Sequence, residues 1–391
     1  MDISIYTSLA IALFLALLSS KLMKKVKLPN VTGYLIIGLL AGPYCLKLLS
    51  SDTIDQFSMI PNIALGFIAF SIGAEFKLDY LKKVGKAPVI IAFLEGFGAT
   101  VVVDIVLIAL GYHVPFSIIL GSIAAATAPA ATLMVVRQYK AKGPVTDMLL
   151  PVVAIDDAVA IIAFGLSVAI AKAINSTEGV SLVTALLDPL IEIFGAIIFG
   201  AILGVLLSFL TKWFTGRGNR LSATIAMILL CIGVSNVLGF SPLMACMAMS
   251  AIYVNASNVS DKVLEQVNRF TPPIFMLFFF VSGADLDIRI LPSVGVVGLL
   301  YVVFRVVGKV LGTAVGAKVS KVEPVIKKYL GYTLLPQAGV AIGLTTIAMN
   351  VVPEYGHQIR TIVLCATVIY ELIGPVVTKI ALKKAGEITV G

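Results

Sequence analysis

Short polar breaks divide the chain into thirteen apolar stretches: about 3–22, 31–49, 58–76, 87–111, 115–136, 145–171, 187–211, 221–239, 241–256, 270–284, 290–317, 329–350 and 361–382. No other feature constrains the fold as strongly. A helix that crosses a bilayer needs roughly 20 mostly apolar residues, and lipid tolerates only backbone whose hydrogen bonds are satisfied internally. The shortest break is Gly239-Phe240-Ser241-Pro242. Charged residues make up 13% of the 391, about half the roughly 25% of soluble domains, too few to cover a soluble surface of this size. The pattern predicts an all-α integral membrane protein with about thirteen transmembrane helices. The first stretch lacks a basic n-region and a small-residue cleavage site, so it reads as a retained helix.

The net charge of +8 does not point to nucleic acid, because the basic residues lie in the breaks and form no patch on a polar surface. With the N-terminus outside, the cytoplasmic breaks and the C-terminus hold 23 of the 29 Lys and Arg residues, among them Lys24, Lys25, Lys82, Lys83, Lys327 and Lys328. The opposite side holds four: Lys47, Lys172, Arg289 and Arg360. That asymmetry orients the chain, since cytoplasmic loops retain Lys and Arg. The four cysteines (Cys45, Cys231, Cys246, Cys365) are far apart in sequence and read as small apolar packing residues. His113 and His357 read as inert loop histidines.

Two basic residues belong to neither side. Arg305 and Lys309 lie within the eleventh stretch, four residues apart and therefore on one helix face. Cations at that depth need partners and are functional candidates. Their acidic counterpart is Asp156-Asp157, near the centre of the sixth stretch. Each carboxylate costs at least about 2.5 kcal/mol at the bilayer centre. Neighbours on a helix point about 100° apart, so one can face an ion cavity while the other faces a partner helix. Hard cations suit oxygen ligands, and a proton and a cation can compete for one carboxylate. Glu95, Asp104, Glu192 and Glu371 are further buried acids, each able to partner a basic residue or line a vestibule, and Glu95 or Glu371 could supply the anion that Arg305 needs beyond any used by Lys309.

The chain also repeats itself. Phe70-Ser71-Ile72-Gly73-Ala74-Glu75 through Asp79 resembles Phe280-Val281-Ser282-Gly283-Ala284-Asp285 through Asp287, and Thr127-Ala128-Pro129-Ala130 resembles Leu335-Pro336-Gln337-Ala338. Helices 2–6 thereby map onto helices 9–13. A shift of seven helices inverts the second copy, and inverted repeats mark secondary transporters. Pro129 and Pro336 each remove a helical donor at equivalent positions, which predicts two broken helices crossing at the midplane. Unwound backbone there must line a cavity or be packed in protein.

These residues resemble the bacterial monovalent cation:proton antiporters of the CPA2 group. The similarity covers essentially the whole chain. It rests on Leu28-Pro29 with Gly33-Tyr34, Gly38 and Gly42-Pro43, on the run around Gly73, on Asp156-Asp157, and on Lys309-Val310-Leu311-Gly312. The resemblance implies a homodimer with a core domain moving against a dimerisation domain. Residues 1–76 and 187–284 would hold the dimerisation helices with a linker helix, and 87–171 and 290–391 the ion-translocating core. It implies that Asp157 carries the ion, that Asp156 pairs with Lys309, and that Thr127 is a further ligand. An Asp-Asp pair is characteristic of electrogenic, sodium-selective members. Where many relatives carry an acid after the second break, this chain has Gly339, and no nucleotide-binding regulatory domain is expected in it.

The sequence thus predicts a sodium/proton antiporter of the bacterial inner membrane, not an enzyme. Asp156, Asp157, Lys309, Arg305 and Thr127 form its expected site. No cofactor is expected, and sodium, lithium or potassium together with protons would be the cargo. Potassium/proton exchange is the nearest alternative. An organic-anion:sodium symporter fits less well, because two buried carboxylates would repel an anion. An intramembrane aspartyl protease needs two opposed carboxylates, whereas adjacent ones diverge.

Overall fold

The computed structural model describes residues 4–74, 76–78, 85–175, 182–286, 289 and 294–388. Glu75, Asp79, Lys82, Lys83 and Asp287 lie outside the described residues, as do the side chains of Lys172 and Glu192. The fold is all-helical, with no strand among the described residues. In chain order the helices are α1 (Ile5–Lys25), α2 (Asn30–Ala41), α3 (Ser51–Gln56), α4 (Met59–Gly73), α5 (Ala87–Ala109) and α6 (Val114–Ile123). There follow α7 (Pro129–Tyr139), α8 (Pro144–Asn175), α9 (Leu182–Trp213), α10 (Arg217–Leu238), α11 (Pro242–Ala256) and α12 (Ser260–Phe270). The last are α13 (Pro272–Ala284), α14 (Gly295–Val319), α15 (Pro324–Thr333), α16 (Gly339–Val351) and α17 (Pro353–Lys384).

Seven of these, α1, α5, α8, α9, α10, α14 and α17, are long and apolar enough to cross a membrane by length and composition. The other apolar stretches form shorter helices, and two of them are interrupted. The stretch at 115–136 divides into α6 and α7, and that at 329–350 into α15 and α16. Proline sets several helix starts: Pro129, Pro242, Pro272, Pro324 and Pro353 occupy first-turn positions, where a missing N–H costs nothing. Two helices lie outside the apolar stretches, the short α3 and the longer α12. α12 is amphipathic, burying Val263 and Val267 while Asp261, Lys262, Glu265 and Arg269 stay exposed. Cys45 is exposed, unlike the other three cysteines, because α2 ends at Ala41 and leaves it in the turn that follows.

The chain separates into two compact units, one of 1–83 and 190–286 and one of 84–189 and 287–391. In the first, helix pairs meet backbone to backbone. A Cβ at Gly283 would lie 2.2 Å from the Leu35 carbonyl oxygen, and one at Gly73 would lie 2.2 Å from that of Met247. These are the two glycines of the sequence repeat, and each lets its helix (α13 or α4) press against a neighbour (α2 or α11). In the second unit, α5 and α14 pack along a small-residue seam. Cβ atoms at Gly308, Gly312 and Gly316 would lie 2.6, 2.7 and 2.8 Å from the Cα atoms of Ala99, Glu95 and Ile91. Small residues four apart allow such close approach in membranes, where dispersion and hydrogen bonding replace the hydrophobic drive. This register places Lys309 opposite Glu95.

Candidate functional site

The second unit contains a crossing of two broken helices. Residues 124–128 join α6 to α7, and residues 334–338 join α15 to α16. The segments hold each other: the Ala128 N–H donates to the Pro336 carbonyl at 2.8 Å, and the Thr132 hydroxyl donates to the Thr333 carbonyl at 3.0 Å. The prolines play different parts. Pro129 opens α7 as its first residue, whereas Pro336 sits in the extended segment and offers its carbonyl to the other strand of the crossing.

A helix that stops inside protein leaves its last carbonyls without partners, and at the end of α6 side chains supply them. Gln337 Nε2 donates to the Ile123 carbonyl at 2.9 Å. Arg305 Nε donates to Ala124 at 3.0 Å and its Nη2 to Ala126 at 2.7 Å. Lys309 Nζ donates to Ala125 at 2.6 Å. Arg305 Nη1 also reaches the Leu335 carbonyl of the second broken segment at 2.7 Å, so one guanidinium ties both breaks. The Tyr370 ring lies 4.4 Å from the guanidinium carbon. Gln337 is held in turn by the Tyr301 hydroxyl at 3.0 Å.

Arg305 therefore differs from its sequence expectation. It pairs with no carboxylate among the described residues, and neither Glu95 nor Glu371 is its partner. Two cationic groups at the negative end of a half-helix are accounted for differently: Arg305 by three carbonyls, Lys309 by carboxylates. Lys309 Nζ lies 2.8 Å from Glu95 Oε2 and 3.4 Å from Asp156 Oδ2, and donates to the Thr127 hydroxyl at 2.7 Å. Lys309, Glu95, Asp156 and Arg305 are each 0% exposed, and Asp157 is 2% exposed.

The structure thus gathers Asp156, Lys309 and Thr127 into one set of contacts, places Arg305 one helical turn away on the crossing, and buries Asp157 beside Asp156. From sequence, Glu95 reads as a partner for a basic residue, with Arg305 as the named candidate, or as a vestibule residue. The signal that places it against Lys309 is the Gly308, Gly312, Gly316 spacing. Gln337 is the other residue sequence reasoning missed, visible only as an amide beside Pro336 in an apolar stretch. One oxygen on each of Glu95 (Oε1), Asp156 (Oδ1) and Asp157 (Oδ1) is buried with no hydrogen-bond partner. Unpaired buried carboxylate oxygens are expensive. Gathered beside a threonine hydroxyl and unwound backbone, they suit a desolvated monovalent cation or a proton.

Comparison with known proteins agrees with that chemistry. The family model "Sodium/hydrogen exchanger, transmembrane" matches residues 9–384. The chain is similar to the Na(+)/H(+)-K(+) antiporter GerN of Bacillus cereus, 21% identical over 94% of this chain and 95% of the relative. It is similar to the Na(+)/H(+) antiporter NhaS4 of Synechocystis, 23% identical over 96% and 95%. Its fold is similar to that of the sodium proton antiporter MjNhaP1 from Methanocaldococcus jannaschii at pH 8, with a TM-score of 0.72 at 21% identity over 98% of this chain and 96% of that one. The chain belongs to the sodium/hydrogen exchanger family: it is a multi-span membrane transporter, not an enzyme, and its class of activity is monovalent cation:proton exchange.

Proposed function

We propose that the protein exchanges sodium for protons across the bacterial plasma membrane by alternating access, with the cation and protons competing for Asp156 and Asp157. The observation that carries this reading is the buried cluster at the crossing, where Asp156 and Asp157 each keep an unpartnered oxygen and Thr127 supplies a hydroxyl. Asp157 is the principal cation ligand. It makes no ion pair with Lys309, so a cation meets no built-in competitor there. Asp156 is the second ligand, released as Lys309 turns to its other partners.

The unit of 84–189 and 287–391 holds the whole cluster and is proposed as the moving core. The unit of 1–83 and 190–286 is proposed as the dimerisation domain of a homodimer, with thirteen spans, the N-terminus outside and the C-terminus cytoplasmic. The glycine pairs at Gly73 and Gly283, which play the same packing role in the two repeat copies, support an inverted repeat. Exchange is proposed to be electrogenic, with more than one proton per cation, because two aspartates share the site. Potassium exchange on the same scaffold is the second reading, favoured by the similarity to GerN, which is named as a Na(+)/H(+)-K(+) antiporter. Purified protein in proteoliposomes, given sodium, lithium or potassium gradients in turn, tests both. Sodium-driven proton flux that generates a membrane potential supports the proposal. Flux with potassium alone, or none with any alkali cation, contradicts it.

A further inference from the structure

Three carboxylates and two cationic side chains are buried together in the second unit, and only some have an evident task. Arg305 is consumed by the carbonyls of Ala124, Ala126 and Leu335. Lys309 is shared, with Glu95 Oε2 closer (2.8 Å) than Asp156 Oδ2 (3.4 Å). An ammonium has three protons, and here it faces four acceptors: Glu95, Asp156, Thr127 and the Ala125 carbonyl. The Asp156 contact is the longest of the four. The backbone that carries Glu95 is held close to α14. A Cβ at Gly312 would stand 2.7 Å from the Cα of Glu95, and one at Gly308 would stand 2.6 Å from that of Ala99. The backbone of α5 is therefore locked against α14 on either side of the pair.

We propose that Glu95 is a positioning residue for the cation site: it holds Lys309 as a standing counter-ion and so keeps Asp156 and Asp157 available to a monovalent cation. This rests on the reading of Asp156 and Asp157 as the cation ligands. The charge count gives it a physical basis. With all five groups ionised, Arg305 and Lys309 against Glu95, Asp156 and Asp157 leave one net negative charge, which one monovalent cation neutralises. Without the Glu95 charge the cluster is already neutral, and Lys309 is left with Asp156 as its only carboxylate. A cation must then displace the ammonium from Asp156 and leave a net positive charge in a water-poor interior, where such imbalance is costly.

The test is cation-dependent exchange in proteoliposomes at one fixed pH, with KM and kcat separated. In Glu95→Gln the sodium KM rises about tenfold or more, the scale of removing one charge a few ångströms from a binding group, and changes by a larger factor than kcat. The double variant Glu95→Gln with Lys309→Gln restores the single net negative charge and leaves Asp156 without a competing ammonium, and its KM returns toward that of the parent. Glu95→Asp gives an intermediate KM. A merely structural Glu95 would lower kcat, through a smaller active fraction, and leave KM alone. A parental KM in Glu95→Gln, or a double variant whose KM is no lower than the single variant's, overturns the proposal. If Glu95→Gln cannot be purified folded, the double variant decides alone: a KM tenfold above the parent's overturns the proposal, and a KM near the parent's supports it. Failure of the underlying reading looks different, because the parent itself then shows no cation-driven flux, or Asp157→Asn transports normally.

Discussion

Replacing Arg305 by methionine removes a guanidinium that donates to both broken segments at once. The substitution conserves length and leaves the carbonyls of Ala124, Ala126 and Leu335 without their donor. Each stranded buried acceptor costs about 1–3 kcal/mol, or roughly 3–9 kcal/mol for three. The guanidinium is 0% exposed, and removing its desolvation penalty recovers several kcal/mol of that sum. Removing one partner of a buried charged contact typically costs about 3–5 kcal/mol net, which lies within those bounds and is the loss expected here. At roughly 2–3 °C per kcal/mol for a unit of this size, thermal unfolding in detergent should fall by about 6–15 °C. Amide exchange should accelerate in 124–128 and 334–338 before the rest of the second unit. Arg305→Lys should fall between methionine and the parent, because an ammonium keeps the charge but not the planar fork that reaches three oxygens. A methionine variant that melts within about 2 °C of the parent, with unchanged exchange in both segments, would refute the clamp.

Other consequences are as specific. Gly312→Ala places a Cβ 2.2 Å from the Leu94 carbonyl oxygen; since backbone cannot yield there, a loss of about 1–3 kcal/mol and reduced exchange activity are expected. Gly233→Ala, with nothing within 4 Å, is the control and should leave the melting temperature unchanged or raise it, by up to about 1 kcal/mol of helix propensity. Glu387 follows α17 and accepts from the Thr146 N–H at 2.8 Å and the Thr146 hydroxyl at 2.6 Å, as well as from the Val145 N–H. It thus caps α8, the helix that carries Asp156 and Asp157. Glu387→Ala should destabilise the start of α8 by about 0.5–2 kcal/mol, seen as faster amide exchange at 145–148. Unchanged protection there would remove the cap from the account.

The sequence was most legible where a single physical requirement acts. Lipid demands closed hydrogen bonding, so each apolar stretch carries a helix, and the breaks at Pro129 and Pro336 fall where the repeat put them. The burial of Asp156, Asp157, Arg305 and Lys309 was readable because charge at such depth is too costly to be incidental. Partners were less readable, since they depend on which helices touch. The sequence set Arg305 beside a carboxylate, whereas it serves carbonyls that a broken helix leaves open, and a backbone acceptor has no signature in side-chain identity. Glu95 finds Lys309 because three glycines let two helices meet at backbone distance, a register that Lys309-Val310-Leu311-Gly312 alone does not convey. α12 escaped notice because its apolar face is only Val263 and Val267 wide.

The central claim is that Asp157, buried beside the crossing and unpaired with Lys309, binds the transported cation. The direct measurement is sodium-driven proton flux in proteoliposomes, comparing the parent with Asp157→Asn at equal, folded protein content. The account predicts flux in the parent and none above background in Asp157→Asn, although the two carboxamide and carboxylate side chains are nearly isosteric. Equal flux in the two would contradict it.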